Sequence, residues 1–176
     1  MIVMNVYRNS RNSREDLVRI IENIWNRPGK IVYTDAVGVV LGASESIANS
    51  FLFTQSICAE NLNVKIHTLS LTFTKDQFHL EQVCRVAQSI LLYLGMEYQC
   101  FLVVEEGETE YCVWFAINAC SYNGASKFAD NNQTYIKLRE MLGTLIREKV
   151  MFIYDKTVLF EDQFDKRDNY VTLPGV

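Results

Sequence analysis

The clearest hydrophobic pattern in the chain is the alternation of apolar and polar residues from Val64 to Phe73. Alternate residues of a strand point to opposite faces, and β-branched residues are frequent here, so the stretch predicts a β-strand. On this register, His67 shares a face with the apolar residues Leu69 and Leu71. A histidine in such a position is more often a hydrogen-bonded core residue than a metal ligand, and we predict that role for His67.

Helical spacing predicts four helices in the rest of the chain. Apolar residues recur at intervals of three and four in Leu17–Trp25, Ile47–Cys58, Val83–Leu94 and Ile136–Ile146. Ser13 and Asp16 resemble a capping box before the first helix. Ser44 is the predicted N-cap of the second helix, and Thr74–Asp76 is predicted to cap the third.

The remaining β-rich stretches predict short strands, including a buried hairpin near the middle of the chain. These strands are Met1–Tyr7, Ile31–Tyr33, Val37–Leu41, Gln99–Val104, Tyr111–Asn118 and Val150–Tyr154. The pattern predicts an α+β fold, in which helices pack mainly on one face of a central antiparallel β-sheet of about five strands. We expect one domain over residues 1–154 and a partly ordered C-terminal tail over residues 155–176.

Composition and charge exclude several classes of protein. Hydrophobic residues make up 49% and charged residues 22% of the chain, which is ordinary for a soluble domain. The apolar runs are too short to span a membrane, and the start lacks the layout of a secretory signal, so we expect a cytoplasmic protein. The five cysteines show no Cys-x-x-Cys pair, which favours buried, reduced thiols. A net charge of −4 disfavours non-specific coating of nucleic acid.

Four motifs, taken in order, resemble those of the mobilisation relaxases, the histidine-hydrophobe-histidine nickases of conjugative plasmids and transposons. Arg27–Lys30 resembles the family's Asn-Pro-x-Lys segment, and His67–Phe73 resembles its His-x-x-x-Ser-Phe strand. Cys112–Asn118 resembles the metal-binding strand His-x-His-Phe-x-x-Asn, and Ser121–Gly124 with Lys127 resembles a Tyr-x-x-Gly-Lys turn. The match spans about residues 17–149.

The resemblance implies a metal-dependent site for cutting DNA, but this chain lacks most of the groups. In the family, three histidines hold a divalent cation and a tyrosine near the end of the first helix attacks the phosphate. The histidine positions fall on Glu105, Cys112 and Trp114, and the tyrosine position falls on Ile24. Tryptophan cannot bind the cation and isoleucine cannot attack phosphorus. Tyr33 is an alternative nucleophile, although its spacing does not favour it.

We therefore weigh three hypotheses. The first is a catalytically inactive relaxase-like protein of a mobile genetic element that binds single-stranded or hairpin DNA, or other mobilisation proteins, without a cofactor. Its predicted DNA-binding surface consists of Arg8, Arg11, Arg14, Arg19, Arg27, Lys30 and Lys127. The second is a protein-interaction or assembly module without nucleic-acid binding. The third is an enzyme that uses Glu105, Cys112 and a replacement ligand to hold a metal.

Overall fold

The computed structural model describes residues 2–7, 13–59, 61–146 and 150–155 of the chain. These residues form four helices and six strands. In chain order the elements are β1 (Ile2–Tyr7), α1 (Arg14–Trp25), β2 (Lys30–Val37), α2 (Ser44–Ser56), β3 (Ile66–Thr74), α3 (Leu80–Gly95), β4 (Tyr98–Glu106), β5 (Glu110–Ser121), α4 (Asn132–Ile146) and β6 (Val150–Asp155). The last strand includes Asp155, and the rest of the predicted tail lies outside the described residues.

All six strands belong to one sheet, with the order β2-β4-β5-β3-β1-β6. The first five strands of that order are antiparallel to their neighbours, and β6 is added parallel to β1 at one edge. The predicted α+β fold and its central antiparallel sheet are confirmed. The strand β5 lies between β4 and β3, so its side chains occupy the interior of the sheet.

The arrangement of the helices differs from the prediction, because two helices cover each face of the sheet. Helices α1 and α2 pack with Phe101, Trp114 and Ala116 on one face. Helices α3 and α4 pack with the other set of strand residues, such as Leu102 and Phe115, on the opposite face. We call these the α1/α2 face and the α3/α4 face. The physical reason is that residues 100–104 and 113–121 are buried at every position, and a strand buried on both sides needs a cover on both.

Local signals at the first helix and at one turn were predicted correctly. The Ser13 hydroxyl accepts a hydrogen bond from the Asp16 N–H at 3.0 Å, and the Asp16 carboxylate accepts one from the Ser13 N–H at 3.3 Å. This pair is the predicted capping box of α1. Gly124 has a φ of +69°, as its Asn-Gly turn requires. A side chain at Gly124 would also collide with the backbone of Ile57, so the turn packs closely against the end of α2.

Other element boundaries were predicted wrongly. A single strand, β2, replaces the two short strands, and it absorbs a register shift between Ile31 and Tyr33 in its pairing with β4. The N-cap of α2 is Ala43, which makes no side-chain hydrogen bond, and the predicted cap Ser44 is the first helical residue. Helix α3 begins at Leu80, with His79 as its N-cap. The predicted cap at residues 74–76 is wrong, because Thr74 still belongs to β3 and residues 75–77 form a turn.

Candidate functional site

The structure brings together the three positions where the relaxase resemblance places its metal-binding histidines. Cys112 and Trp114 lie on the α1/α2 face of the central strand β5. Glu105 lies on the adjacent strand β4, directly opposite Cys112 in the antiparallel pairing. These three positions therefore share one neighbourhood.

The Glu105 carboxylate is fully engaged by donors of the protein itself. Its Oε2 accepts hydrogen bonds from Arg27 Nε at 3.0 Å and from Trp114 Nε1 at 3.2 Å. Its Oε1 accepts a hydrogen bond from the Gly29 N–H at 2.8 Å. Glu105 and Arg27 are each only 13% exposed, so the ion pair is shielded from water. Glu105 thus ties the loop after α1 to the sheet.

Trp114 is held between two flat groups. The Arg27 guanidinium lies over its ring, with Cζ 4.0 Å from the centroid. The Tyr7 ring stacks on it at 5.7 Å with an interplanar angle of 25°. Cation–π contact and ring stacking both favour this geometry. We call Tyr7, Arg27, Glu105 and Trp114 the Trp114 cluster.

Cys112 is poorly suited to bind a metal or to act as a nucleophile. Burial raises the pKa of its thiol to about 12, although the Thr72 hydroxyl and the Arg27 charge act in the opposite direction. The Thr72 Oγ1 lies 3.9 Å from the sulfur. Because the thiolate is the form that binds metals and attacks electrophiles, a thiol that stays protonated near neutral pH does neither well.

Neither residue considered for the nucleophile could attack a substrate bound here. Ile24 is 3% exposed and packs into the apolar core between α1 and the sheet. Tyr33 packs against the core of the α3/α4 face, on the other side of the sheet from the Trp114 cluster. Its hydroxyl donates to Asp35 Oδ2 at 2.9 Å, and burial raises its pKa to about 12.

A hollow of about 380 Å³ lies beside the Trp114 cluster. Its remaining lining residues are mostly small or polar: Asn5, Ser70, Thr72, Gly107, Glu110 and Cys112. Ser70 is held by Tyr7, whose hydroxyl lies 3.0 Å from the Ser70 Oγ. The charged groups of the lining are Arg27, Glu105 and Glu110. Because Glu105 neutralises Arg27, the hollow is acidic, which disfavours a phosphate group.

The donors at this site do not fit the metal that the relaxase resemblance implies. Tryptophan offers no lone pair, the Glu105 oxygens already accept three hydrogen bonds, and the Cys112 thiol resists deprotonation. Within the part of the chain that the structure describes, no group of three His, Cys, Asp or Glu side chains is placed to hold an ion. Glu106, another glutamate of the same hairpin, forms ion pairs with Lys30 and Lys75.

The described residues of the predicted DNA-binding surface lie in separate parts of the structure. Arg27 and Lys30 lie near the start of β5, whereas Lys127 bridges to Cys120 at its far end. From Cys112, which lies opposite Glu105, to Cys120, a rise of about 3.3 Å per residue along β5 gives a separation of about 26 Å. Arg14 and Arg19 are exposed on α1, and Arg14 Nη2 donates to Asn49 Oδ1 at 3.1 Å. Arg8 and Arg11 lie outside the described residues.

An exposed apolar surface at the far end of the sheet was missed by the sequence analysis. Val40, Phe53 and Met96 are 86%, 75% and 77% exposed, and Ile57 and Tyr122 are also exposed. We call these five residues the end surface. Apart from Phe53 and Ile57 they lie on separate elements, so no local pattern marks them as one group. Phe53 carries a partial signal, because it lies two residues after the buried Phe51 and therefore on the side of α2 that faces away from the sheet.

Several contacts place the residues of the end surface at the same end of the sheet. Phe53 and Ile57 are one helical turn apart, and Ile57 touches the turn at Gly124. Tyr122 lies against Gly38, close to Val40 in the chain, and its N–H donates to the Glu97 carbonyl at 3.0 Å, next to Met96. A shallow hollow of about 340 Å³ lies between Met96 and Tyr122.

His67 is a buried core residue, as predicted. Its ring lies 4.9 Å from that of Phe128, and its Nδ1 lies 3.9 Å from Asp130 Oδ2. Burial lowers its pKa to about 4, although the Asp130 carboxylate favours the charged form. His67 is therefore neutral near pH 7, and it lies on the face opposite the Trp114 cluster.

The helices of the described residues include none that combines the length and the apolar character needed to cross a bilayer. Comparison of the chain with protein-family models, curated proteins and solved structures found no match. The relaxase resemblance therefore stays a prediction that depends on the four motifs.

Proposed function

We propose that this chain is a non-catalytic protein-interaction module that assembles through the end surface. The observation that carries the proposal is the exposure of Val40, Phe53 and Met96 near one end of the sheet. Exposed apolar surface is costly in water, and a group of such side chains commonly marks a protein-binding site. The cytoplasm is the compartment that we propose for this role.

The Trp114 cluster supports the non-catalytic part of the proposal. Its acid, its cation and its aromatic rings bond to one another, and the thiol beside them is held protonated. A catalytic site needs groups that are free to touch a substrate at a suitable pKa. In this chain the corresponding positions stabilise the junction of α1, β4 and β5.

The first partner to test is a second copy of the chain. In a solution of the purified protein, two copies can remove their exposed apolar residues from water by binding to each other. Sedimentation velocity should show a concentration-dependent shift from monomer to a larger species. Raising the salt concentration should leave this shift unchanged or strengthen it, since the contact is apolar rather than ionic. The double variant Phe53→Ser, Met96→Gln should remain monomeric.

Leu145→Ser provides the matched control, because Leu145 is an exposed apolar residue on α4 that does not belong to the end surface. This variant should associate like the wild type. A wild-type chain that stays monomeric at the highest soluble concentration would contradict assembly by self-association. Equal losses in the control and in the double variant would contradict the assignment of the surface.

The second candidate function is DNA binding without cutting, and the observation in its favour is the pair of exposed guanidinium groups on α1. Fluorescence anisotropy of labelled single-stranded and hairpin DNA, titrated at several salt concentrations, separates the two functions. Our proposal expects no saturable binding at low salt. If binding occurs, and if Arg14→Gln with Arg19→Gln reduces its salt dependence, DNA binding replaces the proposed role.

A further inference from the structure

Two cysteines far apart in the sequence meet between α2 and β5. Cys58 follows the last turn of α2 and is half-buried, and Cys120 lies near the end of β5 and is fully buried. Both are free thiols, and the Cys58 thiol is near enough to Cys120 to contribute to the rise of its pKa.

Direct hydrogen bonds fix the two backbones on either side of this contact. One helical turn before Cys58, Gln55 Nε2 donates to Asn118 Oδ1 at 2.8 Å. Immediately after Cys58, the Ala59 N–H donates to the Gly124 carbonyl at 3.0 Å. The close approach of Gly124 to Ile57 adds a third fixed point. These contacts hold the segment that carries Cys58 beside the end of β5 that carries Cys120.

We propose that Cys58 and Cys120 form a reversible disulfide when the protein meets a low-molecular-weight disulfide such as oxidised glutathione. The partly exposed Cys58 reacts first: its thiolate attacks one sulfur of the oxidant and releases one molecule of glutathione. Cys120, as its thiolate, then attacks the Cys58 sulfur of the mixed disulfide and releases the second molecule. The two protein thiols lose two electrons and two protons, and the oxidant is reduced to two thiols.

The buried position of Cys120 determines the rate of the second step. In the reduced protein the pKa of Cys120 is raised to about 12, mainly by burial, and this cause remains when Cys58 carries the mixed disulfide. Little thiolate is present near neutral pH, so ring closure should be slower than formation of the mixed disulfide and should accelerate as the pH rises. The finished bond would join α2 to β5 across a long loop, which stabilises the folded state.

The experiment treats the purified, reduced full chain with oxidised glutathione and then counts free thiols in denaturant. Wild-type protein should lose two thiols, and digestion without reduction should yield a linked pair of peptides that contain Cys58 and Cys120. Its midpoint of thermal unfolding should rise by about 10 °C. Cys120→Ala should accumulate glutathione on Cys58, because the second thiol is missing, and Cys58→Ser should form neither product.

Cys84→Ser is the matched control, since Cys84 is a half-buried cysteine on α3, on the opposite face of the sheet. It should form the same linked peptides as the wild type. Absence of the linked peptides from oxidised, folded wild-type protein would overturn the proposal. So would a disulfide between any other two cysteines, or unchanged loss of thiols in Cys58→Ser.

Discussion

The Glu105 carboxylate shows what a single residue contributes to this fold. It lies on β4, and its partner Arg27 is separated from it by 78 residues in the sequence. Two charged groups that are shielded from water are stable only when they remain paired and hydrogen-bonded. The Glu105 carboxylate also accepts hydrogen bonds from the Gly29 N–H and from Trp114 Nε1. Glu105 therefore has a structural role at a position where relaxases would be expected to place a metal ligand.

Replacing Glu105 by glutamine should destabilise the protein substantially. Glu105→Gln keeps the shape but removes the charge that balances the shielded Arg27, so the free energy of unfolding should fall by about 2–4 kcal/mol. Urea unfolding followed by tryptophan fluorescence would measure this loss. Glu106→Gln is the control, because Glu106 pairs with Lys30 and Lys75 at the surface and should matter much less. Equal losses in both variants would contradict the assigned role.

His67 should make the stability of the protein sensitive to acid. Its folded-state pKa is lowered to about 4 by burial, against about 6.5 in the unfolded chain. The unfolded state therefore binds more protons between these values. The contribution of neutral His67 to the free energy of unfolding is complete above pH 6.5. It is lost as the pH falls towards 4, by up to about 3 kcal/mol.

Titration of the two histidines by NMR would check this prediction. The His67 ring signal should not move between pH 8 and pH 5, and the exposed His79 serves as the internal comparison. The variant His67→Gln should lose less stability than the wild type between pH 7 and pH 4.5. A His67 signal that titrates near pH 6.5 would contradict the burial of this side chain.

At the scale of the elements, the caps of α1 and α2 explain why one helix start was easier to predict than the other. Helix α1 begins with a reciprocal pair of hydrogen bonds between Ser13 and Asp16. Helix α2 begins after Ala43, whose methyl group cannot accept a hydrogen bond, although Ser44 follows directly. The serine in the sequence suggested a cap one residue too late. The packing of Ile47 and Phe51 against the sheet fixes where α2 starts.

A serine at position 43 should stabilise the protein. The backbone of Ala43 already has the extended conformation of an N-cap, with φ −60° and ψ 142°, so a hydroxyl there can accept a hydrogen bond from the first turn. Ala43→Ser should raise the free energy of unfolding by about 0.5–1 kcal/mol in a urea titration. Ser44→Ala, at the position that the sequence favoured, should change it by less than about 0.5 kcal/mol. A large loss in Ser44→Ala would restore the sequence-based assignment.

At the scale of the whole molecule, the two ends of the sheet have different surfaces. The Trp114 cluster and its acidic hollow lie near the start of β5, and the end surface lies near its far end. The described basic residues of the predicted DNA-binding surface are divided between these regions and α1. Our proposal of a protein partner depends on the exposed apolar residues, whereas the motifs alone favour DNA. The Cys58–Cys120 pair lies near the same end of the sheet, and Cys58 directly follows Ile57 in the chain.

The sequence by itself determined the features that depend on near neighbours in the chain. The capping box at Ser13, the alternation in β3, the turn at Gly124 and the side of β3 that carries His67 are all fixed by residues a few positions apart. The continuous apolar runs in β4 and β5 also contained the evidence for two helical layers.

Only the tertiary structure decided the features that join distant elements. An amphipathic helix has one buried stripe, but the stripe does not specify which face of the sheet it covers. The contacts of Glu105 with Arg27, of Cys58 with Cys120 and of the end-surface residues with one another depend on that choice and on strand order. These contacts carry the functional proposals, because surfaces and side-chain clusters form where separate parts of the chain meet.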